Sequence, residues 1–302
     1  MTGIFIHRPV LVREVVEALK IQPDGSYIDG TVGAGGHASQ ILESLGDGGR
    51  LLGIDRDREI LEIASTRLES YGKHRFFLLH GSYENLEQIC KSAGVERVEG
   101  ILLDLGVSSL QLDHAERGFS FLKDAPLDMR MNPEEGRSAQ EVLAQTSQKE
   151  LEKIFRNLGE ELFSGRIARV IAETRRQHPL RTTKDLSDLI LQAIPRRFSS
   201  GYQRLHPATR VFQALRIFVN RELERLEIFL NKVPDFLSEG GRLVILSYHS
   251  LEDRLVKTYF VDWERKGVLK RVTKKPMVAS EEEKEKNPRS RSVKMRVAER
   301  MA

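Results

Sequence analysis

The 302-residue chain predicts an α/β fold, a doubly wound parallel sheet with an inserted all-α domain. Three observations carry this. Strand-like and helix-like segments alternate from Ser26 to Asp104, the alternation gives way to helical periods over 110–207, and a further buried strand pattern appears at 241–250. Such alternation builds βαβ units, whose strands run parallel and whose helices cover the sheet.

Taken in order, the strands are "SYID" (26–29), "RLLGID" (50–55), "RFFLLH" (75–80) and "GILLDLG" (100–106), all apolar runs too short for helices. Between them "HASQILESL", "REILEIASTRLESY" and "NLEQICKSAG" repeat apolar residues at helical spacing. The insertion reads as "SAQEVLAQ", "QKELEKIFRNL", "GRIARVIAETRRQ" and "TKDLSDLILQAI", with little strand character. One long amphipathic helix is expected at "ATRVFQALRIFVNRELERLEIFL" (208–230), followed by the strand "GRLVILSYHS". A buried strand must pair inside the sheet, so the α/β domain resumes there. The expected division is 1–109, 110–207 and 208–302, the first and last forming one domain. "VLKRVTKKP" and "RSVKMRVAER" suit a terminal antiparallel strand pair, and the charged run "EEEKEK" (281–286) reads as a solvated loop.

Bulk properties narrow the function classes. The single cysteine, Cys90, excludes an internal disulfide framework and reads as a packed thiol in a helical pattern. The opening "MTGIFIHRPVLV" lacks the features of a secretory signal, and no apolar stretch approaches the roughly 20 residues that span a bilayer. A cytoplasmic protein with no membrane partner is expected. No His/Cys pair has ligand spacing, so no metal is expected. The net charge of +4 is compatible with a polyanionic partner without demanding one.

The chemistry begins at "IDGTVGAGGH" (28–37). Gly33-Ala34-Gly35-Gly36-His37-Ala38 fits the dinucleotide fingerprint of Rossmann-like folds, and Asp55, about 20 residues on, fits the ribose acceptor. Ligands of open α/β sheets bind beyond the carboxyl ends of the strands, and those ends here are Asp29, Asp55 and Asp104. A carboxylate beside the glycine loop would repel a pyrophosphate by on the order of a few kcal/mol at an effective dielectric near 20. S-adenosyl-L-methionine has the ribose without the phosphates, and its sulfonium and ammonium welcome acids. Gly33, Gly35 and Gly36 then lie against the methionine part, Asp55 accepts the ribose hydroxyls, and Asp29 and Asp104 set a negative field. Each acid taken singly also suits a turn or a helix cap. A nicotinamide-dependent dehydrogenase is the competing enzyme, and a passive binder of the methyl donor and RNA the competing non-enzyme.

At "LLDLGVSS", "QLDHAERGFSF" and "PLDMRM" the chain resembles the bacterial S-adenosylmethionine-dependent methyltransferases that methylate N4 of a cytidine in small-subunit ribosomal RNA. The likeness extends through "HRPVLVREVV", "YIDGTVGAGGHASQIL", "GIDRD", "HPATRVFQALRIFVNRELE", "SYHSLEDRLVK" and "NPRSRSVKMRVAER". It implies donor contacts at Gly35, Gly36, His37, Asp55, Tyr83, Asp104 and Gln111, with Tyr83 offering a stacking face to the adenine. Leu110 departs from the family pattern, which has proline there and so a stiffer loop before Gln111. The implied substrate is 16S ribosomal RNA within the small subunit.

Cytosine N4 is a poor nucleophile, so catalysis must position the amine and accept hydrogen bonds from its N–H groups. Asp104 is the expected acceptor, with Ser108 and Ser109 as helpers; the "[DN]-P-P-Y" motif of many amino-methyltransferases is replaced by "DLGVSS". Tyr248 and His249, at a strand's carboxyl end, are expected near the acceptor pocket, and Ser250 with Asp253 has capping-box spacing. A base must leave its stack to be methylated, so basic segments must hold the RNA. Candidates are 175–184, 195–210 with Arg197, Arg204, Phe198 and Tyr202, and 287–296.

Overall fold

The computed structural model describes residues 9–195 and 206–302. The chain divides into two compact units, one formed by the described residues up to Gly106 with Leu223–Ala302, the other by Val107–Glu222.

The first unit is built on a seven-stranded sheet. Its strands are β1 (Ser26–Asp29), β2 (Arg50–Asp55), β3 (Phe76–His80), β4 (Val98–Asp104), β5 (Leu237–Ser247), β6 (Leu269–Arg271) and β7 (Lys294–Arg300). The spatial order is 3-2-1-4-5-7-6, with β1 to β5 parallel and β7 antiparallel to both β5 and β6. The expected terminal antiparallel pair is therefore present.

Successive strand residues point to opposite faces, which makes two cores. Ile28, Ile54, Ile101, Leu103 and Ile245 bury against helices α4 (Leu86–Ala93), α11 (Glu222–Lys232) and α12 (Ser250–Arg265). Tyr27, Leu51, Leu102, Val244 and Leu246 bury against α1 (Val12–Leu19), α2 (Gly36–Ser44) and α3 (Arg58–Leu68). Strand order reverses between β1 and β4, so the carboxyl ends of these two strands flank a crevice of the kind that binds ligands in open sheets.

The second unit is helical and has its own core. Short α5 (Ser109–Asp113) is followed by α6 (Ala139–Gln145), α7 (Gln148–Gly159), α8 (Ser164–Thr174), α9 (Thr183–Ala193) and α10 (Thr209–Asn220). Leu143, Phe155, Ile171, Ile190, Phe212 and Leu215 meet in one buried cluster. Ser138 with Glu141 and Thr182 with Asp185 cap α6 and α9 reciprocally, satisfying N–H groups that the helices cannot.

Four expectations need correction. The single helix over 208–230 is two, broken at Arg221, whose φ is +52°. The cause lies next door: buried Asn220 donates to the Met129 carbonyl (2.7 Å) and accepts the Met131 N–H (2.8 Å). Because Val211, Phe212, Ala214 and Leu215 bury in the helical core, α10 belongs to that unit, which runs 107–222 where 110–207 was read from the periodicity. The run "EEEKEK" is a helix, α13 (Glu281–Lys286), capped by Ser280. The capping box of α12 uses His249 and Glu252, while Asp253 instead binds Arg296 (2.7 Å) and Lys294 (3.2 Å). Among the described residues no helix is long and apolar enough to cross a membrane.

Candidate functional site

The glycine turn leaves β1 in close contact with the neighbouring strands. Gly30 donates to the Leu102 carbonyl (2.9 Å) and Val32 to that of Ile54 (2.9 Å), and a Cβ at Gly30 would collide with the Leu103 side chain. Gly33 (φ +51°) and Gly35 (φ +80°) are left-handed, a region that side chains resist, and Gly35 is the N-cap of α2. The Gly36 Cα faces Pro9, whose Cγ is 3.0 Å from where a Cβ would stand. The Gly35 N–H closes the turn on the Val32 carbonyl (2.8 Å), and the first N–H groups of α2 beyond it have no partner within the helix.

Three carboxylates surround the turn. Asp29 is buried, its Oδ1 accepting the Thr31 N–H (3.2 Å) while its Oδ2 has no hydrogen-bond partner among the described residues. Burial pushes its carboxyl up to about 8 against the Thr31 hydrogen bond, and the negative charges of Asp104 and Asp55 add to the shift. Asp55 accepts the Asp57 N–H on one oxygen (3.0 Å) and the Gly33 N–H on the other (2.9 Å). Desolvation nevertheless raises it to about 6. A carboxylate offers about four acceptor positions, so Asp55 can hold the turn and still accept from a ligand.

Asp104 is the most connected of the three. Its N–H donates to Thr31 Oγ1 (2.6 Å), its Oδ1 accepts from the Tyr248 hydroxyl (2.7 Å), and its Oδ2 lies 3.6 Å from His37 Nδ1. Desolvation raises its pKa, opposed by His37 and by the Tyr248 hydrogen bond. The Tyr248 phenol is in turn driven well above its ordinary value by burial and by Asp104. It is a neutral donor at any physiological pH. Three desolvated carboxylates in one crevice, one with an orphaned oxygen, are complementary to a cation.

Tyr83 follows β3 in a short turn (Tyr83–Asn85), buried and edge-on to Phe229 with ring centroids 5.6 Å apart. Its Cβ is 3.0 Å from where a Gly30 Cβ would be, so the ring borders the glycine turn. Its neighbour Glu84 is held by Ser82 and by Arg225 of α11. His249 receives the Glu252 N–H at Nδ1 (3.4 Å) while its buried Nε2, with no hydrogen-bond partner among the described residues, lies 3.2 Å from Glu252 Oε1, and Glu252 also accepts the Tyr248 N–H (2.8 Å).

In the helical unit, Ser108 and Gln111 form a reciprocal capping box at the start of α5, each accepting the other's backbone N–H at 3.1 Å. Ser109 is the first residue of that helix. Arg197, Arg204, Phe198 and Tyr202 lie outside the described residues. The other basic segments are partly structural. Arg175 donates to the carbonyls of Leu143 and Thr146, and Lys294 and Arg296 neutralise Asp253.

Sequence reasoning assembled the three acids with the turn but missed Thr31 and the bond from Tyr248 to Asp104. The signal for the latter is the sheet order. Asp104 registers with Leu246 on adjacent parallel strands, which sets Tyr248 just beyond the same edge.

Residues 4–301 match a sequence profile described as the MraW methylase family. The chain is 47% identical to the ribosomal RNA small subunit methyltransferase H of Thioalkalivibrio sulfidiphilus, with 98% of both chains covered. It is 46% identical to the protein of that name from Trichlorobacter lovleyi, covering 98% of this chain and 99% of the other. For that from Syntrophus aciditrophicus the identity is again 46%, with 98% of each covered.

Proposed function

The chain belongs to the MraW methylase family, and from that premise we propose that it transfers a methyl group from S-adenosyl-L-methionine to N4 of a specific cytidine in small-subunit (16S) ribosomal RNA. The observation that carries this reading is the set of Asp29, Asp55 and Asp104 around the glycine turn, in a chain alike to its relatives from end to end.

The residues fit the donor. Its cationic end suits the orphaned Asp29 Oδ2 and the desolvated Asp104, its ribose hydroxyls suit Asp55, and the positive start of α2 at Gly35, Gly36 and His37 suits its carboxylate, although the Gly35 N–H itself is committed to the Val32 carbonyl (2.8 Å). Tyr83 is the residue we assign beside the adenine. When bound, the donor supplies an electrophilic methyl group.

The protein's own task is to hold and polarise the acceptor. As cytosine N4 gains a bond its N–H groups become acidic, and a fixed carboxylate stabilises that change without reorganising. Asp104 has that role: Tyr248 fixes one oxygen and His37 faces the other. Tyr248, expected near the acceptor pocket, therefore acts through Asp104. Ser108 and Gln111 order the start of α5, and the helical unit carries RNA recognition, with the assembled small subunit as the substrate.

The test is transfer of tritium from S-adenosyl-[methyl-3H]methionine to small-subunit RNA, with the product nucleoside identified by mass spectrometry. Asp104→Ala is expected to lower kcat by about 100- to 1000-fold, the size of one lost preorganised partner, while RNA binding is retained. Label appearing in protein alone, or undiminished transfer in the variant, would refute the assignment.

A further inference from the structure

The charged run at 281–286 lies outside the proposed catalytic set, yet it reaches the turn that precedes α1. Glu283 of α13 accepts the Leu11 N–H at 2.8 Å, a contact across 272 residues of sequence. Leu11 needs that acceptor. It is buried, left-handed (φ +53°) and the N-cap of α1, so its N–H has no partner in the helix. The preceding carbonyl, that of Val10, lies 2.8 Å from His37 Nε2, and Pro9 packs on Gly36.

A carbonyl oxygen can only accept, so the Val10 contact puts the proton of a neutral His37 on Nε2. Nδ1 is then the unprotonated nitrogen, and it is the one facing Asp104 Oδ2 at 3.6 Å. The second ring nitrogen of a histidine commonly sets the state of the first in this way.

The support behind Glu283 is itself fixed. Ser280 Oγ accepts the Glu283 N–H (3.2 Å), and the Asn287 N–H closes the helix on the Glu283 carbonyl (2.7 Å). Beyond the helix Ser290 is fully buried, its hydroxyl donating to the Asn287 carbonyl (2.8 Å). Before it, Met277 and Met295 exchange both backbone hydrogen bonds, tying the segment to β7.

We propose that Glu283 is a positioning residue for the methyl-donor site: it latches the turn at Leu11, whose neighbouring Val10 carbonyl holds His37 as the Nε2–H tautomer against Asp104. This rests on the donor site proposed above. A solvated charge run would leave His37 unaffected on substitution, whereas a latch would not.

The experiment compares the full-length protein with Glu283→Ala and Glu283→Gln. Long-range 1H–15N spectra at pH 8 read the His37 ring, assigned by its loss in His37→Gln, and calorimetry with S-adenosylhomocysteine reads the site. In the unsubstituted protein Nε2 should be protonated and Nδ1 not. Glu283→Ala should mix the tautomers and weaken the product by about tenfold, the effect of one lost charge-assisted hydrogen bond. Glu283→Gln keeps an acceptor oxygen and should restore both. The latch is refuted if the unsubstituted ring carries its proton on Nδ1, a result that needs no variant to fold, or if Glu283→Ala leaves both ring and affinity unchanged. Failure of the unsubstituted protein to bind S-adenosylhomocysteine would instead reject the donor site, while the ring spectra would still judge the latch.

Discussion

An aspartate pushed up to about 8 ties the candidate site to pH. In the unfolded chain such a group ionises near 4, so between pH ~4 and ~8 the folded protein holds a proton at Asp29 that the unfolded chain has lost. Stability of the donor-free protein should therefore fall as pH rises across that window, with Asp55 contributing up to about pH 6. Asp29→Asn keeps the acceptor for the Thr31 N–H but cannot ionise. Its melting temperature relative to the unsubstituted protein is expected to climb from pH 5 to pH 8. A cationic donor favours the ionised form, so binding at pH 7 should also release up to one proton, seen as a dependence of calorimetric heat on buffer ionisation enthalpy. The variant should lose most of that dependence. A flat difference in melting temperature would show that Asp29 is ionised in the fold. The three acids were legible because strand ends can be read from apolar runs. The Tyr248 bond was not, because it depends on β4 and β5 being neighbours, which no local pattern reveals.

Among the elements, those with long apolar periods were read within a few residues: β1 and β2 match the sequence reading at both ends, and α6 to α9 begin within a residue of it. Misses occur where a polar side chain decides. The break between α10 and α11 follows from buried Asn220, which sits at a helical position in the pattern and reveals its role only through Met129 and Met131. Helix α13 has no apolar stripe, and its only local sign is Ser280 followed three residues later by Glu283. Helix α1 ends on a residue whose identity works against it. Lys20 closes the helix at φ +49° with an exposed side chain, a conformation that glycine adopts freely. Lys20→Gly is expected to stabilise the protein by roughly 0.5–1 kcal/mol, since left-handed strain in a side-chain-bearing residue costs about 1–2 kcal/mol and the unfolded glycine recovers part of it. The melting temperature should rise by about 1–3 °C, and a decrease would mean that the lysine side chain contributes more than the strain costs.

At the scale of the whole molecule the proposed function divides the work between the two units by chemistry. The sheet unit concentrates carboxylates at one edge, which suits a small cation and repels RNA phosphates. The chain as a whole is nonetheless basic, with a net charge of +4, so cations must lie elsewhere to hold a polyanion. In the tail the candidates are partly consumed by Asp253. In the helical unit Arg175 serves carbonyl groups, but Arg176, just after α8, and Arg181 and Lys184, around the start of α9, remain exposed. Charges of this kind act on RNA by releasing counterions, and on single strands each phosphate contact contributes about −0.7 to the slope of log K against log salt. Replacing all three by alanine should therefore reduce the slope for small-subunit RNA by about 2, if each meets a phosphate. Affinity for S-adenosylhomocysteine should not change, because the proposed donor site is built from the other unit's strand ends. Filter binding of RNA between 50 and 300 mM salt, with calorimetry of the small ligand in parallel, separates the two effects. An unchanged slope would make these residues ordinary solvated surface and shift RNA recognition to the other basic segments. A parallel loss of both affinities would instead mean that the substitutions damage the fold.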